Sequence, residues 1–236
     1  MTKPLEGKRV VIVGGTSGMG RGAAHAAAGA GAEVIVAGRR RSTEFASVVL
    51  DVTDEASVRA AFDGLDALDH LLITAAPPPG SWDAFLKQDV AAAQAYMNAK
   101  FFGSWACARY AAPKMRDGGS ITFLTGAASV KPSAGSSIVT ATFAALEALS
   151  RALAVELGPL RVNTIRPGLV DSEMWSFLDE AGRDGLRRTA REKFPVHRIG
   201  TVEDIGHAAV FLMTNSYITG SILEITGGEQ LVDAFK

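Results

Sequence analysis

A short apolar run, Arg9–Val13 (RVVIV), stops at Val13-Gly14-Gly15-Thr16-Ser17-Gly18-Met19-Gly20 and resumes as an alanine-rich segment reaching about Ala30. The run is β-branched and too short for a helix, so it reads as a strand, and the segment after the glycines reads as a helix. A strand that turns directly into a helix is carried back over its own sheet, and the next strand then lies parallel to it. The rest of the chain repeats that unit. Strands are expected at Glu33–Ala37, Ser47–Leu50, Leu68–Thr74, Ser120–Thr125, Arg161–Ile165 and Ile222–Ile225. Helices are expected at about Asp54–Phe62, Trp82–Ala112, Ser137–Leu157 and Val202–Met213, with a proline loop at Pro77, Pro78 and Pro79. Proline continues neither neighbouring element, so those three residues mark a connection.

Strands without strict alternation suit a parallel sheet buried on both faces. The expectation is an α/β fold: one doubly wound parallel sheet of about seven strands, a Rossmann fold, in a single domain spanning residues 1–236. Residues 169–195, irregular and then helical, read as a lid. Apolar residues make up 47% of the chain and charged residues 21%, enough for a large core and against disorder. The net charge of −1 argues against a nucleic-acid or membrane-surface partner. A lone cysteine, Cys107, forms no intrachain disulfide and suits a reducing compartment. The polar start MTKPLEGKR has no apolar leader core, and no unbroken apolar run reaches the roughly 18 residues of a membrane span. A cytoplasmic protein is expected.

The glycine turn has the chemistry of a phosphate cradle. A pyrophosphate needs close backbone approach and a helix N-terminus aimed at its charge, and glycines permit both. The spacing Gly14-x-x-x-Gly18-x-Gly20 resembles that of the short-chain dehydrogenase/reductase family. Further segments resemble the family in the same order: Leu50-Asp51-Val52, Asn98 in a helix, Ala154-Val155-Glu156-Leu157, Arg161-Val162-Asn163-Thr164-Ile165-Arg166-Pro167-Gly168, Ile218-Thr219-Gly220 and Gly227-Gly228. Thr74-Ala75-Ala76 is a weaker match, standing where the family usually has Asn-Ala-Gly. The resemblance implies a bound nicotinamide dinucleotide, a small-molecule substrate and a homodimer or homotetramer built through the two long helices and the last strand. It places cofactor contacts at Gly14, Thr16, Ser17, Gly18, Met19, Gly20, Asp51, Val52, Ala75, Pro167, Gly168, Val170 and Ser172. No metal is implied.

The choice of dinucleotide is read at the end of the second strand, Val36-Ala37-Gly38-Arg39-Arg40-Arg41. A carboxylate there would bind the ribose 2′-hydroxyl of NAD. Gly38 stands in that place, and Arg39 follows with a guanidinium suited to a 2′-phosphate. NADP(H) is therefore expected over NAD(H).

The chemistry that carbonyl-reducing members of the family use is missing. Their Tyr donates a proton, a Lys one helical turn later lowers the Tyr pKa, and a Ser orients the carbonyl. Aligned on Ala154-Val155-Glu156-Leu157, the Tyr position is Val139, the Lys position Phe143 and the Ser position Gly126. No tyrosine lies between Tyr110 and Tyr217, and no lysine between Lys131 and Lys193. Asn98 alone remains of the four. Tyr96-x-x-x-Lys100 has the family spacing, but residues two apart on a helix point about 200° from each other. If Asn98 faces the site, both face away. Thr125 and Lys131 are the substitute polar groups considered, with Gly126, Val139, Phe143 and Trp175 as walls of a substrate pocket. Three readings stay open: an oxidoreductase with an unusual proton route, a catalytically silent nucleotide-binding protein, and a non-redox enzyme reusing the pocket.

Overall fold

The computed structural model describes residues 2–77 and 83–233. Seven strands form one parallel sheet: β1 (Arg9–Val13), β2 (Glu33–Gly38), β3 (Ala46–Val49), β4 (Leu68–Ile73), β5 (Met115–Leu124), β6 (Arg161–Pro167) and β7 (Ile222–Ile225). Their spatial order is β3-β2-β1-β4-β5-β6-β7. The order reverses between β1 and β4, which opens a crevice at the carboxyl ends of those two strands. Every residue of β4 and β6 is buried. That is what a sheet covered on both faces requires, and it explains why these strands do not alternate in polarity.

Helices α1 (Gly18–Gly29) and α7 (Val202–Thr214) cover one face. They pack small residues such as Ala23, Ala27 and Ala209 over Val10, Ile12 and Val36. The other face carries α2 (Glu55–Asp63), α4 (Gly103–Ala111) and α5 (Ser137–Glu156), around Phe62, Leu71, Cys107 and Leu146. By length and mean hydropathy α5 could cross a membrane, a property that counting unbroken apolar residues does not detect. Here it lies along the sheet, burying Val139, Thr142, Leu146, Glu147 and Ser150.

The expected helix over 82–112 is not continuous. Asp89 caps α3 (Val90–Met97) by accepting the Ala92 amide at 3.1 Å, so the helix starts there. A π-helical turn, Asn98–Phe102, then separates α3 from α4. The expected start at Trp82, with Pro78 and Pro79, lies outside the described residues. Over the carboxyl edge, the segment after β6 makes a short 3₁₀ turn, Glu173–Trp175, followed by α6 (Glu180–Lys193). Asp179 caps α6 by accepting the Gly182 amide at 2.8 Å.

Candidate functional site: a phosphate cradle beside an apolar wall

The cradle sits at the sheet's switch point. Gly14 has φ +84, and a Cβ there would lie 2.6 Å from Thr74 Oγ1 and 2.7 Å from the Ala75 nitrogen. A Cβ on Gly20 would overlap the Gly14 carbonyl and lie 2.5 Å from Thr74 Oγ1. The two glycines therefore let β1, β4 and α1 meet closely enough to leave backbone amides facing the crevice. Thr74 donates its hydroxyl to the Val13 carbonyl at 2.9 Å and so fixes the wall that the family usually builds with Asn. Ser17 precedes α1, but its side chain makes no capping bond. The first-turn amides are thus left without that internal partner, as an anion site requires.

The residues expected on the adenine side lie at the ends of β2 and β3. The Gly38 Cβ position lies 3.6 Å from Thr16 Oγ1, which places the end of β2 against the cradle. Asp51 Oδ1 accepts from the Thr53 amide (2.9 Å) and hydroxyl (2.7 Å). Those bonds, aided by the charge of Arg39, hold the Asp51 carboxyl below its usual range. Arg39 is exposed and near enough to act on Asp51. The residues after β6 come over the cradle from the other side. The Cβ position of Gly18 lies 4.0 Å from Ser172 Cβ, and the Gly18 amide donates to Glu173 Oε2 at 2.8 Å. Contacts thus link residues 14–20 to 74–75 and to 172–173, Gly38 to Thr16, and Arg39 to Asp51, and the glycines and free helix end between them fit a dinucleotide's phosphates.

The corner around Gly126, expected to face a substrate, is hydrocarbon. A Cβ on Gly126 would lie 2.7 Å from Phe143 Cε2, so the Phe143 ring fills the space that a side chain at 126 would need. Val139, one turn before Phe143, is 1% exposed. Gly126→Ser alone should therefore cost about 1–3 kcal/mol through overpacking, measured by chemical denaturation. Gly126→Ser with Phe143→Ala should recover most of that loss. Trp175 fastens the segment after β6: its indole N–H donates to the Val170 carbonyl at 2.9 Å, and its ring packs with Leu169, Ala190 and Phe194.

The three polar candidates for chemistry do not converge. Thr125 is 5% exposed and donates to Glu147 Oε1 at 3.0 Å. Lys131 Nζ donates to the Glu229 carbonyl (2.9 Å) and to that of Val232, tying its loop to the C-terminal segment. Asn98 is exposed, whereas Tyr96 and Lys100 are buried, the reverse of the expected helical projection. Tyr96 and Lys100 still share one side of the helix and Asn98 the other, so the helix turns inward the face opposite to the one expected. Lys100 Nζ donates to the Ala75 carbonyl at 2.9 Å, and burial pushes its amine down to about 7. Burial pushes the Tyr96 hydroxyl up, away from use as an acid.

A buried ion pair went unread in the sequence. Arg166 Nε and Nη2 donate to the two carboxylate oxygens of Glu147 at 2.9 and 2.6 Å, and Arg166 also pairs with Glu224. Glu147 further accepts from Ser129 Oγ at 2.7 Å. Burial pushes the Glu147 carboxyl up, but the bonds from Arg166, Ser129 and Thr125 outweigh it and leave the pKa below the usual value. The signal was available: one charge inside an apolar helix run and one inside an apolar strand are each costly unless they meet.

A family model described as enoyl-(acyl carrier protein) reductase matches residues 13–230. The chain belongs to the short-chain dehydrogenase/reductase family of oxidoreductases. Its relatives include the short-chain dehydrogenase/reductase fsr5 of Gibberella fujikuroi, 29% identical over 96% of each chain. Another is the short-chain dehydrogenase/reductase SDRA of Arabidopsis thaliana, 28% identical over 97% of this chain and 96% of that one. Among solved structures, a small-chain dehydrogenase in complex with NADPH is 33% identical, with a TM-score of 0.84 over 95% of this chain and 99% of the other. Ligand-free aldohexose dehydrogenase from Thermoplasma acidophilum, 22% identical, shares the fold with a TM-score of 0.89 over 98% of this chain and 97% of the other.

Proposed function

We propose that this chain is an NADP(H)-dependent oxidoreductase with a non-standard active site, transferring a hydride to or from a small organic substrate. The observation that carries the cofactor choice is the end of β2, where Gly38 replaces an acid beside Thr16 and Arg39 follows. A related structure holding NADPH supports it. When bound, the nicotinamide supplies or accepts the hydride. The cradle residues Gly14, Thr16, Ser17, Gly18, Met19 and Gly20 would hold the pyrophosphate, and Arg39 the 2′-phosphate. Asp51, Val52 and Ala75 would border the adenosine, with Pro167, Gly168, Val170 and Ser172 bordering the nicotinamide.

Gly126, Val139 and Phe143 offer no proton. Losing a general acid costs about 10²–10⁴ in rate, while positioning alone still supplies several kcal/mol. The substrates that suit this site need little protonation as they react: quinones, iminium ions and activated enones. A catalytically silent dinucleotide-binding protein is the second reading, favoured by the internal engagement of Thr125 and Lys131. Screening NADPH consumption over aldehydes, ketones, quinones and imines separates the two readings. We also propose a homodimer or homotetramer through α4 with the π turn before it, α5 and β7; Phe102 of that turn, Trp105 and Val155 lie open.

Gly38→Asp tests the cofactor choice. A carboxylate there should repel a 2′-phosphate and accept a 2′-hydroxyl, so NADPH affinity should fall at least about tenfold and NADH affinity should rise. Titration of tryptophan fluorescence reads both. An unchanged ratio would count against the assignment of this corner.

A further inference from the structure

The carboxylate of Glu173 occupies the mouth of the proposed cradle. Its Oε2 accepts the Gly18 amide at 2.8 Å, across 155 residues of sequence. Gly18 opens α1, whose N-terminal amides would hold the pyrophosphate. Ser17 leaves that helix end without a side-chain cap of its own, so Glu173 supplies one from the lid. Among the described residues Glu173 has no cation within ion-pair distance. The nearby lid acid Asp171 is held instead by Arg187 Nε at 2.9 Å. The 3₁₀ turn bearing Glu173 is hooked to the end of β6 through Trp175 and Val170.

A pyrophosphate and a carboxylate carry the same sign and need the same N–H. One must leave before the other binds, and repulsion between them adds to the steric conflict. We propose that Glu173 is a built-in competitor of the dinucleotide: it caps the cradle in the free protein, weakens cofactor binding, and makes filling of the cradle release the lid. This rests on the dinucleotide reading above. It makes Glu173 a residue that sets cofactor affinity without helping to hold the cofactor.

The test uses the full chain with Glu173→Ala and Glu173→Gln, read in two ways. In the cofactor-free protein, hydrogen–deuterium exchange should speed up at Gly18 and across 171–180 in Glu173→Ala, because the cap is gone. In fluorescence titrations NADPH should bind about five- to thirtyfold tighter to Glu173→Ala than to the parent, with Glu173→Gln between them. Inorganic pyrophosphate, which lacks the nicotinamide and adenosine, should gain by the same factor. Faster exchange with NADPH binding unchanged or weakened would overturn the competitor role while leaving dinucleotide binding intact. Absence of NADPH, NADH and pyrophosphate binding in parent and variants alike would overturn the cofactor reading and this inference together.

Discussion

Replacing Gly20 with Ala should abolish dinucleotide binding and destabilise the fold, the largest effect expected of any single methyl in this chain. The added Cβ meets the Gly14 carbonyl and Thr74 Oγ1, and Thr74 is itself bonded to the Val13 carbonyl. None of these is the free end of a flexible side chain, so relief requires α1 to move off β1 and β4. Overpacking of this kind costs about 2–3 kcal/mol, which for a chain of this size lowers Tm by about 4–12 °C. The displacement also moves the α1 amides out of reach of a phosphate, so NADPH affinity should fall at least about 100-fold. Thermal melting and fluorescence titration check the two parts separately. Full stability with lost binding would mean that α1 adjusts more easily than its contacts indicate.

Breaking the Glu147–Arg166 pair should have a comparable effect on stability by a different cause. Glu147→Ala leaves the Arg166 guanidinium buried with Glu224 as its remaining carboxylate partner. Removing one member of a buried pair typically costs about 3–5 kcal/mol. Glu147→Leu with Arg166→Met should recover much of that, because no fully buried charge is then stranded: Glu224, which loses Arg166, is partly exposed and keeps its bond from Gln230. The pair also predicts a pH dependence. The Glu147 carboxyl is held below its ordinary value of 4.5, so its contribution is complete above that value. It is lost as pH falls through the lower folded-state value. Denaturant unfolding between pH 7 and pH 3 should show a steeper acid loss in the parent than in the double variant. Equal slopes would remove Glu147 from the acid response.

The sheet was legible because burial on both faces leaves a plain record: RVVIV, EVIVAG and LDHLLI are short, apolar and bounded by turns. The glycine turn was legible because its demand is local, a strand, glycines and a helix within a dozen residues. Features depending on distant partners were not. Glu147 and Arg166 meet only where α5 lies beside β6, and neither residue alone names the other as its partner. Glu173 gave no sign of reaching Gly18. The placement of Asn98 and Lys100 was not legible for another reason: a helical projection gives the angles between residues but not which face the sheet covers. That Gly126, Val139 and Phe143 carry no proton donor is plain in the residues, but not that the Phe143 ring fills the room beside Gly126.

Parallel titration of the parent protein with NADPH and NADH tests most directly the proposal that this chain holds NADP(H) in its glycine cradle. Saturable binding of both is predicted, with NADPH tighter by at least about tenfold. No binding of either dinucleotide, or NADH binding as tightly as NADPH, would contradict the account.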